Sequence, residues 1–345
     1  MEDYLNKYEL EKSRQVCATP LIRYREPIYP VIFPKYIEKK IYRIGERRTF
    51  YTRKNVLKDD SGFIEIEAEL VDTSSTTDVW VELNQWGLNV DSSDVRNILI
   101  ALDEKTPSSS IDSTKGILEL EREYFGEIPD VDNTGKLIVL ILDIRDGYES
   151  GESKTFVAGY FDWADQLPAG HPQASGNSAD IIYIDSDPAD PSSHVVMSTV
   201  SHELQHLIHY NYDENEEVWL NEGLSEYASY LTGYPYRSFH HFLMKTDRSL
   251  KAWDNRIEDY SRVALFTTYL VSQFGEKFLA SLVQNRSNGI SSIEETLWLF
   301  GIQLSFRTLF RNWIIANYLN NSTISSGEFG YSGLRIPKVN PRFRH

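Results

Sequence analysis

Residues 201–232 read SHELQHLIHYNYDENEEVWLNEGLSEYASYLT, and the reading of this stretch organises the rest of the chain. His202 and His206 stand four apart, so on a helix their rings project from one face, one turn above the other. Two imidazoles at that spacing can close on a single zinc ion at about 2.0–2.1 Å per bond. Glu203 follows the first histidine directly, an offset that points it beside the metal, where it can hold a water. Val200, Leu204 and Leu207 fall on the opposite side, which gives the helix a wet working face and a dry packing face. Asp190-Pro191-Ser192-Ser193 offers capping side chains and a first-turn proline at its start. Asp213-Glu214-Asn215 breaks the pattern after Tyr212.

A second helix starts near Glu216 and carries Asn221-Glu222-Gly223-Leu224-Ser225-Glu226. Glu222 is close enough in sequence to come back onto the first helix as an oxygen ligand. Two histidines and one glutamate leave a fourth zinc position for water, the catalytic rather than the structural arrangement. Glu226, one turn beyond Glu222, is placed to receive the second ring N–H of a metal-bound histidine. A bare HExxH also arises on ordinary helices by chance, and the Trp219–Gly223 run at this remove lifts it above coincidence. His209 reads as a packing or supporting residue, because a fourth protein ligand closes a catalytic site.

HELQH followed by WLNEGLSE resembles the gluzincin zinc metallopeptidases, the thermolysin-like superfamily, and within it most closely the hyicolysin-like secreted peptidases. The resemblance implies that His202, His206 and Glu222 bind one catalytic Zn2+ and that Glu203 is the general base. Thermolysin-like members carry Asn-Glu-x-x-Ser-Asp around the third ligand. Here the segment runs from Asn221 to Glu226, with Asn221 and Glu226 in supporting positions and Glu in place of the usual Asp. The interval from His206 to Glu222 is shorter than in the aminopeptidase group, so the connecting loop differs. The motif itself covers residues 201–232, and a looser likeness extends from Ser92 to Asn320. The family also implies a polypeptide substrate, an extracellular location, and a Tyr or His that stabilises the oxyanion. Tyr260 is the chosen candidate, ahead of His240 and His241, with a tyrosine packed only for its ring as the alternative. In peptidases of this architecture an edge strand beside the cleft pairs with substrate. Asp180–Asp185 is read as that strand, with Ile182 and Tyr183 binding substrate and an ordinary sheet strand as the alternative. Two other functions compete with an endopeptidase. An exopeptidase needs an anchor for a free amine, and no Gly-x-Met-x-Asn segment is visible; a non-catalytic zinc-bound scaffold has no need of Glu203, which is present.

Working outward, the chain reads as α+β: a small antiparallel β module, then a thermolysin-like domain with a β lobe and a mainly helical C-terminal lobe. Residues 1–35 form an extended arm broken by Pro20, Pro27, Pro30 and Pro34. Residues 36–90 form the β module, accessory or propeptide-like, with turns at Asp59–Gly62 and Asp72–Thr77. Residues 91–325 form the peptidase domain and 326–345 a tail. Lys136–Ile144 is too uniformly apolar for a half-exposed strand and reads as a buried one. Trp298, Phe306, Phe310, Trp313 and Ile314 recur at helical spacing and are assigned to the core. Asp130-x-Asp132-x-Thr134-Gly135 has the start of a calcium loop, but Ile141 stands where the bidentate Glu belongs, so a turn is expected rather than Ca2+.

Composition removes other classes. Lys plus Arg total 35 against 51 Asp plus Glu, a net charge of −16 that repels nucleic acid. The longest apolar run, Leu137–Leu142, is far short of the roughly 20 residues of a membrane span. Cys17 is the one cysteine, so an internal disulfide and a cysteine zinc cage are both excluded. It is read as a plain unpaired thiol, in preference to one that reaches the zinc and silences it. Met1-Glu2-Asp3-Tyr4 lacks the layout of a secretory signal, so the extracellular location rests on the resemblance alone.

Overall fold

The computed structural model describes residues 15–22, 24, 40–58, 62–148, 155–334 and 336. Most of the 1–35 arm, the turn residues Asp59-Asp60-Ser61 and half of the 326–345 tail therefore lie outside the described residues. The architecture is mixed α+β. Strands β1 (Gln15–Cys17), β2 (Arg47–Arg53), β3 (Phe63–Thr73), β4 (Thr77–Glu82), β5 (Leu137–Leu142), β6 (Phe156–Phe161) and β7 (Ile181–Asp185) form one sheet, ordered β1-β6-β7-β5-β4-β3-β2. The helices are α1 (Ser92–Leu99), α2 (Ile117–Tyr124), α3 (His194–Tyr212), α4 (Val218–Leu231), α5 (His240–Leu243), α6 (Ile257–Phe274), α7 (Lys277–Val283), α8 (Ile290–Leu299) and α9 (Phe306–Leu319).

The sheet's centre follows from its apolar runs. β5 is LIVLIL, and β4 and β7 flank it in parallel; every residue of the three strands is buried, as expected where both faces of a sheet are covered. The hairpins β2–β3 and β3–β4 are antiparallel. They do not stand apart as the expected 36–90 module, because β4 continues the sheet into β5 with Thr77 opposite Leu137. Both acids of Asp78-Val79-Trp80-Val81-Glu82 on β4 are buried. Asp78 pairs with Lys136 at 2.8 Å and Glu82 with Arg145 at 2.5 Å.

A second expectation is corrected here. Ile182 and Tyr183 lie on β7, which pairs with β5 on one side and β6 on the other, so no edge is free for substrate. The Tyr183 hydroxyl instead donates to Asp165 at 2.7 Å, and its ring stacks on Tyr160 at 4.3 Å. The strand next to the edge is β6, which receives β1 in parallel. Buried Arg53 forks onto Asp162 at 2.5 and 2.9 Å and ties β2 to the chain leaving β6. In the helical part, Phe306, Phe310 and Trp313 join the core as read, whereas Trp298 is 75% and Ile314 51% exposed.

Asp185 ends β7 with one oxygen accepting from Ile144 N at 3.1 Å and the other without a partner. Burial pushes its pKa up to about 8. Between the unfolded value near 3.9 and about 8, the folded chain keeps a proton that the unfolded chain has lost. This group's contribution to stability is therefore full at low pH and is lost as pH rises through that window. The urea midpoint of the wild-type chain, followed from pH 5 to pH 8, is expected to fall more steeply than that of Asp185→Asn. Parallel slopes for the two would contradict this assignment.

Candidate metal centre

α3 begins where Ser193 Oγ accepts from Val196 N at 3.2 Å, and it ends as Asp213 turns extended. Residues Val195–His209 are buried throughout, so the expected wet face does not exist in this state. Two glycines set the distances. A Cβ on Gly159 of β6 would stand 2.7 Å from Thr199 Cγ2 and 3.3 Å from Glu203 Cγ, so the bare strand lets α3 press onto the sheet. A Cβ on Gly223 would meet Thr267 Oγ1 at 2.5 Å, which brings α4 equally close to α6. Between α3 and α4 runs a ladder of small polar contacts: Ser198–Ser229 at 3.0 Å, Ser201–Thr232 at 3.0 Å, and Gln205 with Ser225. That packing delivers Glu222 to the histidines.

The geometry at the meeting point is tight. His202 Nε2 and His206 Nε2 are 3.2 Å apart, Glu222 Oε1 is 3.1 Å from His206 Nε2, and Glu222 Oε2 is 3.3 Å from His202 Nε2. Ligands about 2.0–2.1 Å from a shared tetrahedral ion stand roughly 3.3–3.4 Å from one another, and the set matches that spacing. Glu222 Oε2 and Glu203 Oε1 are buried without hydrogen-bond partners, a cost that a bound cation removes. Burial opposes the charge on Glu222, but the imidazoles of His206 and His202 outweigh it and hold the carboxyl down at about 2. Burial likewise opposes a charged His206, and Glu222 with Glu203 outweighs it and moves that pKa up. The donor set fits zinc.

The supporting residues are also in reach. Asn221 Oδ1 lies 2.9 Å from His206 Nδ1; accepting from that N–H leaves Nε2 as the lone-pair donor. Ser225 Oγ is 3.1 Å from the same nitrogen. Glu226 Oε1 is 3.6 Å from His202 Nδ1 and accepts from Arg237 Nε at 3.2 Å. The Tyr260 ring is fully buried beneath the Arg237 guanidinium at 4.3 Å. His240 and His241, on α5, do not line the cavities at the donors.

One residue was misread. Cys17, taken as a plain thiol, sits among the donors: its Sγ is 3.4 Å from Glu203 Oε2 and 3.8 Å from His206 Nε2, within a mutual 4.8 Å grouping with His202, His206 and Glu222. It ends β1, whose backbone is held at several points. Arg237 Nη1 donates to Gln15 O at 3.3 Å and Tyr260 OH to Cys17 O at 3.3 Å; just beyond the strand, the Thr19 side chain donates from Oγ1 to Glu203 Oε2 at 3.0 Å. Beside His206 and Glu222 opens a cavity of about 360 Å3 walled by Tyr24, Phe161, Trp163 and Tyr210.

Two buried imidazoles and a carboxylate, with a free carboxylate oxygen alongside, make up the donor class of the metallohydrolases. The chain is similar to the neutral metalloprotease ShpI of Staphylococcus hyicus, at 27% identity over 256 residues, 67% of this chain and 53% of that protein. The chain thus spans about half the length of this curated relative, and the likeness supports a metalloprotease family. No family model matches. Among the described residues, no helix is long and apolar enough to cross a membrane.

Removing the group that orients a ligating histidine weakens metal binding about 10–100-fold. Asn221→Ala is expected to do this in a zinc titration against a competing chelator, with an unchanged circular-dichroism spectrum. Affinity equal to that of the wild type would show that Asn221 does not set the His206 tautomer.

Proposed function

We propose that the chain is a zinc-dependent endopeptidase of gluzincin type, with a thermolysin-like arrangement of its sheet and helices around the cleft. One observation carries this reading: the Nε2 atoms of His202 and His206 and the Glu222 carboxylate converge at 3.1–3.3 Å beside an unpartnered Glu203 Oε1. Zinc bound there supplies Lewis acidity, polarising a carbonyl and lowering the pKa of water.

The other steps belong to the chain's own residues. Glu203 takes a proton from water at Oε1 and later delivers it to the leaving amine. Asn221 and Glu226 fix the two rings through their Nδ1 atoms. The Tyr260 hydroxyl lies between Asn255 Oδ1 and the Cys17 carbonyl, and its contact with Cys17 O supports a donor role toward a substrate carbonyl. Substrate strand addition falls to β6 in place of β7, because β6 already accepts an extended backbone on its outer edge. The aromatic-walled cavity beside Glu222 suits a bulky apolar side chain. A polypeptide fits better than a small substrate, since main-chain groups make most of these contacts. Action outside the cell accompanies this reading as part of the same family likeness.

The test measures zinc content and hydrolysis of unfolded casein together, with a thiol-blocking reagent present because Cys17 stands at the donors. Glu203→Gln should keep its zinc and lose about 10²–10⁴-fold in rate, the contribution of a positioned general base. A wild-type chain that holds zinc and cleaves nothing would instead support the scaffold reading.

A further inference from the structure

The structure assigns a second cation site, one turn along α3 from the first, to His209, Asp213 and Glu216. One donor atom from each of these residues lies within 4.8 Å of the other two, and all three side chains are more than nine-tenths buried. Each anchors itself with one polar atom and leaves another bare. His209 Nδ1 lies 3.1 Å from Asn221 Oδ1, Asp213 Oδ1 accepts from Asn215 N at 3.2 Å, and Glu216 Oε1 accepts from Gly289 N at 2.6 Å. His209 Nε2, Asp213 Oδ2 and Glu216 Oε2 have no hydrogen-bond partner. Among the described residues neither carboxylate forms an ion pair with Arg or Lys. Two buried carboxylates and an imidazole lone pair without a cation are costly, and an ion between them satisfies all three.

The donor chemistry selects the ion. Asn221 Oδ1 accepts the Nδ1–H of His209 as it does that of His206, so both rings present Nε2. One imidazole with two carboxylates suits zinc, whereas calcium takes oxygen ligands. Asp213 and Glu216 also line the cavity beside His206 and Glu222, which gives the ion a route in. Such an ion joins the end of α3 to the start of α4, the segment that must deliver Glu222.

The test is metal content by mass spectrometry after equilibration of the full chain with both zinc and calcium. The wild type should carry two zinc equivalents, Asp213→Asn/Glu216→Gln one, and His202→Ala/Glu222→Ala the other. The double variant at residues 213 and 216 should also melt at a lower temperature. One equivalent in the wild type that the residue 213/216 variant retains, or a second equivalent that is calcium, would overturn the site. One equivalent lost only in the residue 213/216 variant would support it and would instead remove the catalytic-zinc reading.

An independent observation, the placement of β1, leads us to infer that Cys17 is a fourth ligand to the first ion and that β1 holds the site latent. This inference rests on the zinc-peptidase reading. Cys17 Sγ shares its grouping with His202, His206 and Glu222, and stands 3.4 Å from Glu203 Oε2 and 3.8 Å from His206 Nε2. The strand occupies the edge of β6 and the hydrogen-bonding groups of Arg237 and Tyr260, and it turns a thiol toward the donors. Cys17 binds as thiolate, its proton released to solvent.

Cobalt-substituted full chain should show a thiolate-to-metal charge-transfer band that Cys17→Ser lacks. Casein hydrolysis by Cys17→Ser should exceed the untreated wild type by about tenfold or more, since a site open only in a minor population is released. A cobalt spectrum without that band would overturn the inference whether or not the chain proves to be a peptidase. Equal hydrolysis by the two chains would overturn latency.

Discussion

Three electron-rich groups are held facing one another in a dry interior, and everything else in this molecule is arranged around that constraint. Two imidazole nitrogens and a carboxylate at 3.1–3.3 Å need positive charge among them, carried by a proton on a ring or by a bound cation. The surrounding core has to keep them there. It does so with residues that take up little room: serines on both sides of the α3–α4 contact, Gly223 against α6 and Gly159 against α3. Larger residues at these positions would separate the helices by more than the donor set tolerates.

The sheet acts as the platform for this arrangement. Its fully buried centre, β4-β5-β7, fixes β6 alongside α3, and β6 in turn presents an edge to extended chain. On that edge lies β1, so the groups that would position a substrate backbone already hold one from the protein itself. A single carbonyl, Asn221 Oδ1, faces the Nδ1 atoms of both His206 and His209. The two clusters of donors are therefore linked through one side chain on α4.

Much of this was legible locally. The i, i+4 histidines, the Ser193 cap, the stop at Asp213 and the return of Glu222 are written within residues 190–226, and the strands at 137–142 and 181–185 announced themselves by apolar runs. What escaped depends on long-range pairing. The parallel contact of β4 with β5 joins residues about sixty positions apart, and nothing in the alternating Asp78–Glu82 pattern signals it. Ile182 and Tyr183 looked like an edge because strand order is not written in any one strand; β6 turned out to cover that side. Cys17 carries no local mark, and its approach to Glu203 and His206 spans 186 and 189 positions. Asp213 read as part of a helix break, which it is, and Glu216 as the start of the next helix, which begins instead at Val218; that donor atoms of both come within reach of His209 is a property of the folded loop.

The most direct measurement is a zinc-edge anomalous difference map from crystals of the zinc-loaded chain. A peak within about 2.0–2.1 Å of His202 Nε2, His206 Nε2 and a Glu222 oxygen is the expected result. A zinc-loaded chain with no peak between those three side chains would contradict the shared metal centre and the peptidase chemistry built on it.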